Sequence, residues 1–162
     1  MSVILIGMPS SGKSTLGVLL AKTLGMKFID SDLLIQQREE RLLHELISEH
    51  GIEEFLKIEN AVNSEINVEN AVIATGGSVV YCDDAMQNLK KLGKVVYLKI
   101  SYEEMLSRLG DYSHRGVVLK TGSTLADMYA ERVPLYEKYA DITVCVEKAS
   151  LTENVKRICD AL

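Results

Sequence analysis

The sequence predicts an α/β fold, a three-layer sandwich in which helices cover a parallel sheet of five strands. Three observations carry this. Brief Val/Ile-rich runs alternate with segments of helical period. Those runs are apolar throughout, as parallel strands buried on both faces tend to be. A glycine-rich stretch, "GMPSSGKST" from Gly7 to Thr15, joins the first such run to the first helical segment. With 162 residues the chain fits a single domain, 1–162, with a sizeable core, and not two.

The strands are expected at Val3 to Ile6, Lys27 to Ile29, Ala71 to Ala74, Val95 to Ile100 and Ile142 to Val146. Between the first two, Leu16, Leu19, Leu20 and Leu24 recur at helical spacing, and Gly25 is placed to end that helix. Residues 33–49 and 52–67 read as two helices divided at Gly51, and Phe55, Ile58, Val62 and Ile66 mark the buried face of the second. Further helices are expected over Asp84 to Leu92, Tyr102 to Leu109, Thr124 to Tyr139 and Leu151 to Leu162. Pro134 should kink or restart the penultimate one, with Tyr136 and Tyr139 packing around it. Residues 110–123, "GDYSHRGVVLKTGS", hold three glycines around a lone arginine and read equally as a lid or as an ordinary surface loop.

Composition narrows the function. The net charge of −5 repels nucleic acid and anionic membrane, and the one lysine cluster, Lys90, Lys91 and Lys94, is too small to reverse that. No apolar run approaches the roughly 20 residues that span a bilayer, and no signal peptide is recognisable, so the cytoplasm is expected. Cys82, Cys145 and Cys159 form no CxxC pair and suit reduced thiols. The three histidines lack metal-ligand spacing, so any metal should arrive with a nucleotide.

Gly7-x-x-x-x-Gly12-Lys13-Ser14 is a complete P-loop. Backbone N–H groups of such a loop, with Ser10, Ser11 and Thr15 among its residues, converge on phosphates at a helix N-terminus. Lys13 can reach the β and γ phosphates, and Ser14 can bind Mg²⁺. A chance match in a chain of this length is on the order of one in a few hundred, so a purely structural turn is remote. No DxxG, NKxD or LSGGQ follows, which removes the signals of GTP switches and transporter ATPases. Carboxylates appear instead at "FIDSD", after the second strand, at the sheet edge where open α/β folds bind ligands. Asp30 would then face the metal and Asp32 a substrate hydroxyl, although Asp32 could equally cap a helix.

Together, "GMPSSGKST", "FIDSD", Gly51 with "FLKIE", "TGGS" after a strand, Arg108, Arg115 and "ERVPLYEKYAD" resemble, in order and spacing, the shikimate kinase family of P-loop kinases. The resemblance runs nearly the full length. It implies sheet order 2-3-1-4-5, ATP and Mg²⁺ as cofactors, substrate-binding helices over 33–69 and a flexible lid over 110–123. By the same resemblance Lys13, Asp32 and Arg115 are catalytic, Ser14 and Asp30 hold the metal, and Arg108 packs on adenine. Gly76, Gly77 and Arg132 would bind the acceptor, Arg132 through its carboxylate, and Arg115 gives the lid a duty. A monomer acting on a small hydroxy compound is expected.

Two departures from the family pattern bear on the acceptor. Leu56 stands where the family has a carboxylate-binding arginine, and Ser78 replaces a third glycine. Loss of a charged hydrogen bond would weaken carboxylate binding roughly ten- to a hundredfold. Glu59, three residues on, has lost a neutralising partner and would favour an amine, so an acceptor such as homoserine is an alternative to shikimate. Against it, Leu56 merely packs beside Phe55 while another cation such as Lys57 serves. A nucleotide-binding protein without turnover is the third reading, and the presence of Lys13, Ser14, Asp30, Asp32 and Arg115 argues against it.

Overall fold

The structure, a computed structural model, describes residues 1–112 and 116–162. Five strands form one parallel sheet in the order β2-β3-β1-β4-β5. They are β1 (Ser2–Ile6), β2 (Lys27–Asp30), β3 (Ala71–Ala74), β4 (Gly93–Lys99) and β5 (Ile142–Cys145). β1 and β3 are buried at every position, as their unbroken apolar sequences require, whereas the edge strands β2 and β5 stay half exposed. β4 begins two residues earlier than expected. Gly93 runs extended so close to Ser2 that any Cβ would collide with the Ser2 backbone.

The helices among the described residues are α1 (Lys13–Leu24), α2 (Ser31–Glu39), α3 (Leu43–Glu65), α4 (Asp83–Leu92), α5 (Tyr102–Leu109), α6 (Leu125–Tyr139) and α7 (Leu151–Ala161). The chain passes from β1 to β2 in one direction along the sheet and from β3 to β4 to β5 in the other. Right-handed crossovers therefore put α1 on one face and α4 to α6 on the opposite one. α7 packs beside α1, and α3 packs beside α4. Side chains at four helix starts accept a first-turn N–H: Asp30 for α2, Ser101 for α5, Thr124 for α6 and Ser150 for α7. At the start of α1, Gly12 supplies no such acceptor.

Gly51 divides two helical stretches as expected: its backbone is non-helical (φ 79°, ψ 171°), and the stretches before and after it within α3 meet there at a kink. The expected helix over 33–49 is corrected: it is itself broken at Glu40, which ends α2 in the left-handed region (φ 53°). Gln36 Oε1 then accepts the Leu43 N–H at 3.2 Å, and Glu45 accepts the Leu42 N–H at 2.9 Å, which start α3 anew. α6 runs through Pro134 as one helix.

Most buried apolar side chains form one core on the two faces of the sheet. A smaller cluster of Ile35, Leu43, Leu46, Phe55, Val62 and Val118 lies under α2 and α3. Val118 belongs to the 110–123 segment, so the described C-terminal arm of that segment is packed down onto the α3 region.

Candidate active site

The P-loop leaves the sheet where β1 ends. A Cβ on Gly7 would lie 2.7 Å from the Leu98 carbonyl oxygen, so only glycine lets the chain turn out beside β4. Gly12 (φ 91°) then redirects it into α1, whose first N–H groups point into the cleft without a side-chain cap. Lys13 is buried in this loop. Its ammonium donates to the carbonyls of Gly7 (2.9 Å) and Met8 (2.8 Å) and approaches Ser11 Oγ at 3.4 Å. Burial lowers its pKa to about 8, with Asp32 opposing.

The two aspartates have separate places. Asp30 closes β2 and caps α2, accepting the Asp32 N–H at 3.0 Å through Oδ1. Its Oδ2 accepts from Ser14 Oγ at 2.6 Å. This hydroxyl–carboxylate pair, with Ser14 exposed, is the donor set a hard divalent cation takes when most of its remaining ligands are phosphate and water. Among the described residues no group of three or more His, Cys, Asp or Glu is placed to hold a metal ion. Asp32 lies deeper, and burial and then the Asp30 charge push its carboxyl up to about 6.

Opposite stands the turn after β3. Thr75 is tied to β1, its N–H and hydroxyl both donating to the Leu5 carbonyl (3.2 and 2.9 Å). A methyl group on Gly76 would strike Glu59 Oε1 and reach 3.0 Å from Asp32 Oδ1; one on Gly77 would reach 3.0 Å from Pro9 Cδ and 3.3 Å from Arg132 Nη1. Tyr136 is fully buried, stacks on Tyr97 with ring centroids 5.0 Å apart, and donates to the Gly77 carbonyl at 2.5 Å. Ser78 donates to Glu59 Oε2 at 2.6 Å. Glu59 is 0% exposed, and burial pushes its carboxyl up to about 7, against the pull of the Ser78 hydrogen bond.

Arg132 is 1% exposed. It donates to the Val118 carbonyl at 2.5 Å and lies 5.3 Å from the Tyr81 ring, while its Nε has no partner among the described residues. The arm from Gly116 to Lys120 thus rests on α6, and Lys120 adds an ion pair with Glu131 (2.6 Å) over the same Tyr81 ring.

These parts line one cleft of about 270 Å³, which runs from Gly12, Lys13, Ser14 and Thr15 past Asp32 to Glu59, Gly76, Gly77, Ser78 and Arg132, with Ser10 at its margin. Gly7, Ser11 and Asp30 do not line it, and Asp30 meets it through Ser14. Leu56 is not brought into this cleft. It lines a smaller neighbouring cavity with Tyr81, Val118 and Arg132. Nor does Lys57 serve as a substitute cation, since its side chain is 73% exposed and pairs with Glu54 at 3.1 Å. Arg108 lies apart at the end of α5, bound to Glu104 (2.6 Å) and the Val146 carbonyl (3.3 Å). Arg115 lies outside the described residues.

Sequence reasoning missed Thr75 and the role of Tyr136. Thr75 directly precedes the glycine pair, and Tyr136 follows Arg132 by four residues, hence shares its helix face. Both signals were available.

A family model described as Shikimate kinase matches residues 9–162. A protein named Shikimate kinase from Clostridium botulinum is 38% identical over 149 residues, covering 89% of this chain and 86% of that one. One of the same name from Parabacteroides distasonis is 37% identical over 167 residues, covering 99% and 96%. Among solved structures, shikimate kinase from Acinetobacter baumannii in complex with shikimate superposes with a TM-score of 0.89 at 28% identity, covering 98% of this chain and 90% of that one. The enzyme from Aquifex aeolicus gives 0.82 at 35% identity, covering 98% and 94%.

Proposed function

The chain belongs to the shikimate kinase family, and from that premise we propose that it transfers the γ-phosphate of ATP to a hydroxyl of shikimate. The observation that carries the reading is that the phosphate loop and the acceptor pocket are one continuous cleft, with Asp32 between them. Phosphoryl transfer needs positioning and charge neutralisation more than covalent chemistry, and this cleft is built for both.

The free N–H groups at the start of α1 hold the phosphates, and Lys13 turns from the loop carbonyls toward the β and γ oxygens. Ser14 and Asp30 hold Mg²⁺, which when bound neutralises phosphate charge. Asp32, its carboxyl raised to about 6, binds the reacting hydroxyl and accepts its proton as the oxygen attacks, a role suited to a base poised near the working pH. Gly76 and Gly77 offer backbone N–H groups without side chains in the way, and Tyr136 fixes their carbonyl side. Arg132 takes the acceptor's carboxylate. Arg115 faces the transferred group, and Arg108 covers the base. Residues 33–69 serve as the acceptor-binding helices and 110–123 as the lid of one kinase domain.

An amine-bearing acceptor loses its motive. That reading needs a bare carboxylate at Glu59, whereas Ser78 donates to it and its pKa of about 7 keeps it partly neutral. We further read the protein as a monomer of the cytoplasm that does not engage nucleic acid, in keeping with its net charge of −5. No helix among the described residues is long and apolar enough to cross a membrane.

The test is ADP release by the purified protein with Mg-ATP, with and without shikimate and homoserine. Shikimate-dependent turnover well above the basal rate is expected. No stimulation by shikimate, or better use of homoserine, would overturn the assignment.

A further inference from the structure

We propose that Lys120 is a positioning residue for the acceptor: its ion pair with Glu131 pins the arm from Gly116 to Lys120 onto α6, and the arm in turn sets the guanidinium of Arg132. This rests on the kinase reading above, in which Arg132 takes the acceptor's carboxylate, and deepens it by naming what holds that group in place.

The arm is seated on two sides. On the α3 side, Gly116 (φ 60°) lies so close that a Cβ there would stand 2.5 Å from Leu43 Cβ. Val118 is buried in the small cluster with Leu43, Leu46 and Phe55. On the α6 side the contacts are polar. The Val118 carbonyl accepts from Arg132 Nη2 at 2.5 Å, and Lys120 Nζ pairs with Glu131 Oε1 at 2.6 Å. Lys120 is the only charged residue in "GVVLK", so it is the arm's one ionic tie to α6. Past it the chain turns at once: the Ser123 N–H donates to the Lys120 carbonyl at 3.0 Å, Gly122 (φ 80°) takes the left-handed region, and α6 begins two residues on.

What this tie governs is the place of one buried cation. Arg132 is almost fully buried, its Nε has no partner among the described residues, and it borders both the main cleft and the smaller neighbouring cavity. Its bond to Val118 fixes which N–H groups remain for an anion, and a planar guanidinium grips a carboxylate well only in a set orientation. Lys120 and Arg132 also flank one ring, that of Tyr81, at 5.0 and 5.3 Å from its centroid. Two cations so placed repel, and Glu131, the chain neighbour of Arg132, is the anion that offsets them. Its carboxyl is held below the usual range, first by the Lys120 hydrogen bond. Without the Lys120 charge, Glu131 is free to draw on Arg132 itself, in competition with the acceptor.

The experiment measures KM for shikimate and for ATP in the wild type, Lys120→Met, Lys120→Arg, Glu131→Gln and the double variant Lys120→Met with Glu131→Gln. Both side chains are about half exposed, so these changes leave the core intact. We expect KM for shikimate to rise about two- to fivefold in Lys120→Met and in Glu131→Gln, the range an exposed ion pair supports. The double variant should lose no more than either single one. KM for ATP should stay unchanged, and Lys120→Arg should keep the wild-type values. The gap between wild type and Lys120→Met should narrow with added salt, which screens exposed charges. An unchanged or lower KM for shikimate in Lys120→Met, effects that add in the double variant, or an equal rise for ATP would overturn the role of Lys120. A wild type without shikimate-dependent turnover would instead refute the kinase reading itself, and Lys120's role with it.

Discussion

Replacing Glu59 by glutamine should make the protein more stable at neutral pH, by an amount the burial of this carboxyl sets. The group is fully buried and its pKa is raised from 4.5 to about 7, chiefly by desolvation. Below pH 4.5 it is neutral both folded and unfolded, and no penalty exists. As pH rises toward 7 the unfolded chain ionises freely while the folded chain holds its proton, so stability falls through this window and levels off above it. A rise of that size corresponds to about 3 kcal/mol, at roughly 1.4 kcal/mol per tenfold. For a domain of this length that is roughly 6–12 °C in melting temperature. Asp32 ionises in the same range and its charge acts on Glu59, so the difference between wild type and Glu59→Gln reports Glu59 together with that coupling. The assay is thermal unfolding of both, without ligand, from pH 4.5 to 8. The offset at pH 4.5, where the unfolded carboxyl is half ionised, reflects mainly the exchange of amide for acid against Ser78; the expected signal is a change in offset that grows to pH 7 and then levels off. Parallel curves across the whole range would refute the argument that burial controls this carboxyl.

Three further outcomes follow from the site. Arg115→Ala should lower kcat far more than it weakens ATP binding; comparable losses in both, measured by turnover and nucleotide titration, would count against its facing the transferred group. Gly76→Ala puts a methyl group against Glu59 Oε1 and Asp32 Oδ1, so use of shikimate should drop by about a hundredfold or more while ADP affinity stays within about twofold; calorimetry and ADP release separate the two. Tyr136→Phe removes the hydrogen bond to the half-buried Gly77 carbonyl, which should cost about 1 kcal/mol of stability and raise KM for shikimate, read from denaturant unfolding and initial rates; an unchanged KM would show that this carbonyl does not set the turn.

The sheet and the phosphate loop were legible because their signals are local. "SVILI" followed by the Gly7–Ser14 spacing fixes strand, turn and helix within fifteen residues, and the five apolar runs found their strands to within two residues at either end. The break at Glu40 was not legible, because the left-handed turn there is made by a glutamate, where glycine or asparagine would have marked it. The acceptor pocket was half legible. Asp32, Gly76, Gly77 and Arg132 do converge on one cleft, but Leu56 turns into the neighbouring cavity beside Tyr81, Val118 and Arg132, about 100° round the helix from Phe55. The pairing of Ser78 with Glu59 spans 19 residues and that of Arg132 with Val118 spans 14. Such partnerships depend on how the elements pack, and no periodicity announces them.

The start of α1 is left unfinished by the chain itself. Four other helices spend a serine, threonine or aspartate on their first turn, a device whose removal typically costs about 1 kcal/mol, yet Gly12 offers none. A nucleotide phosphate accepting those N–H groups is then the missing cap, supplied from solution. In that sense substrate and secondary structure are the same object at this position, and part of the protein's resistance to unfolding is borrowed from the nucleotide concentration around it.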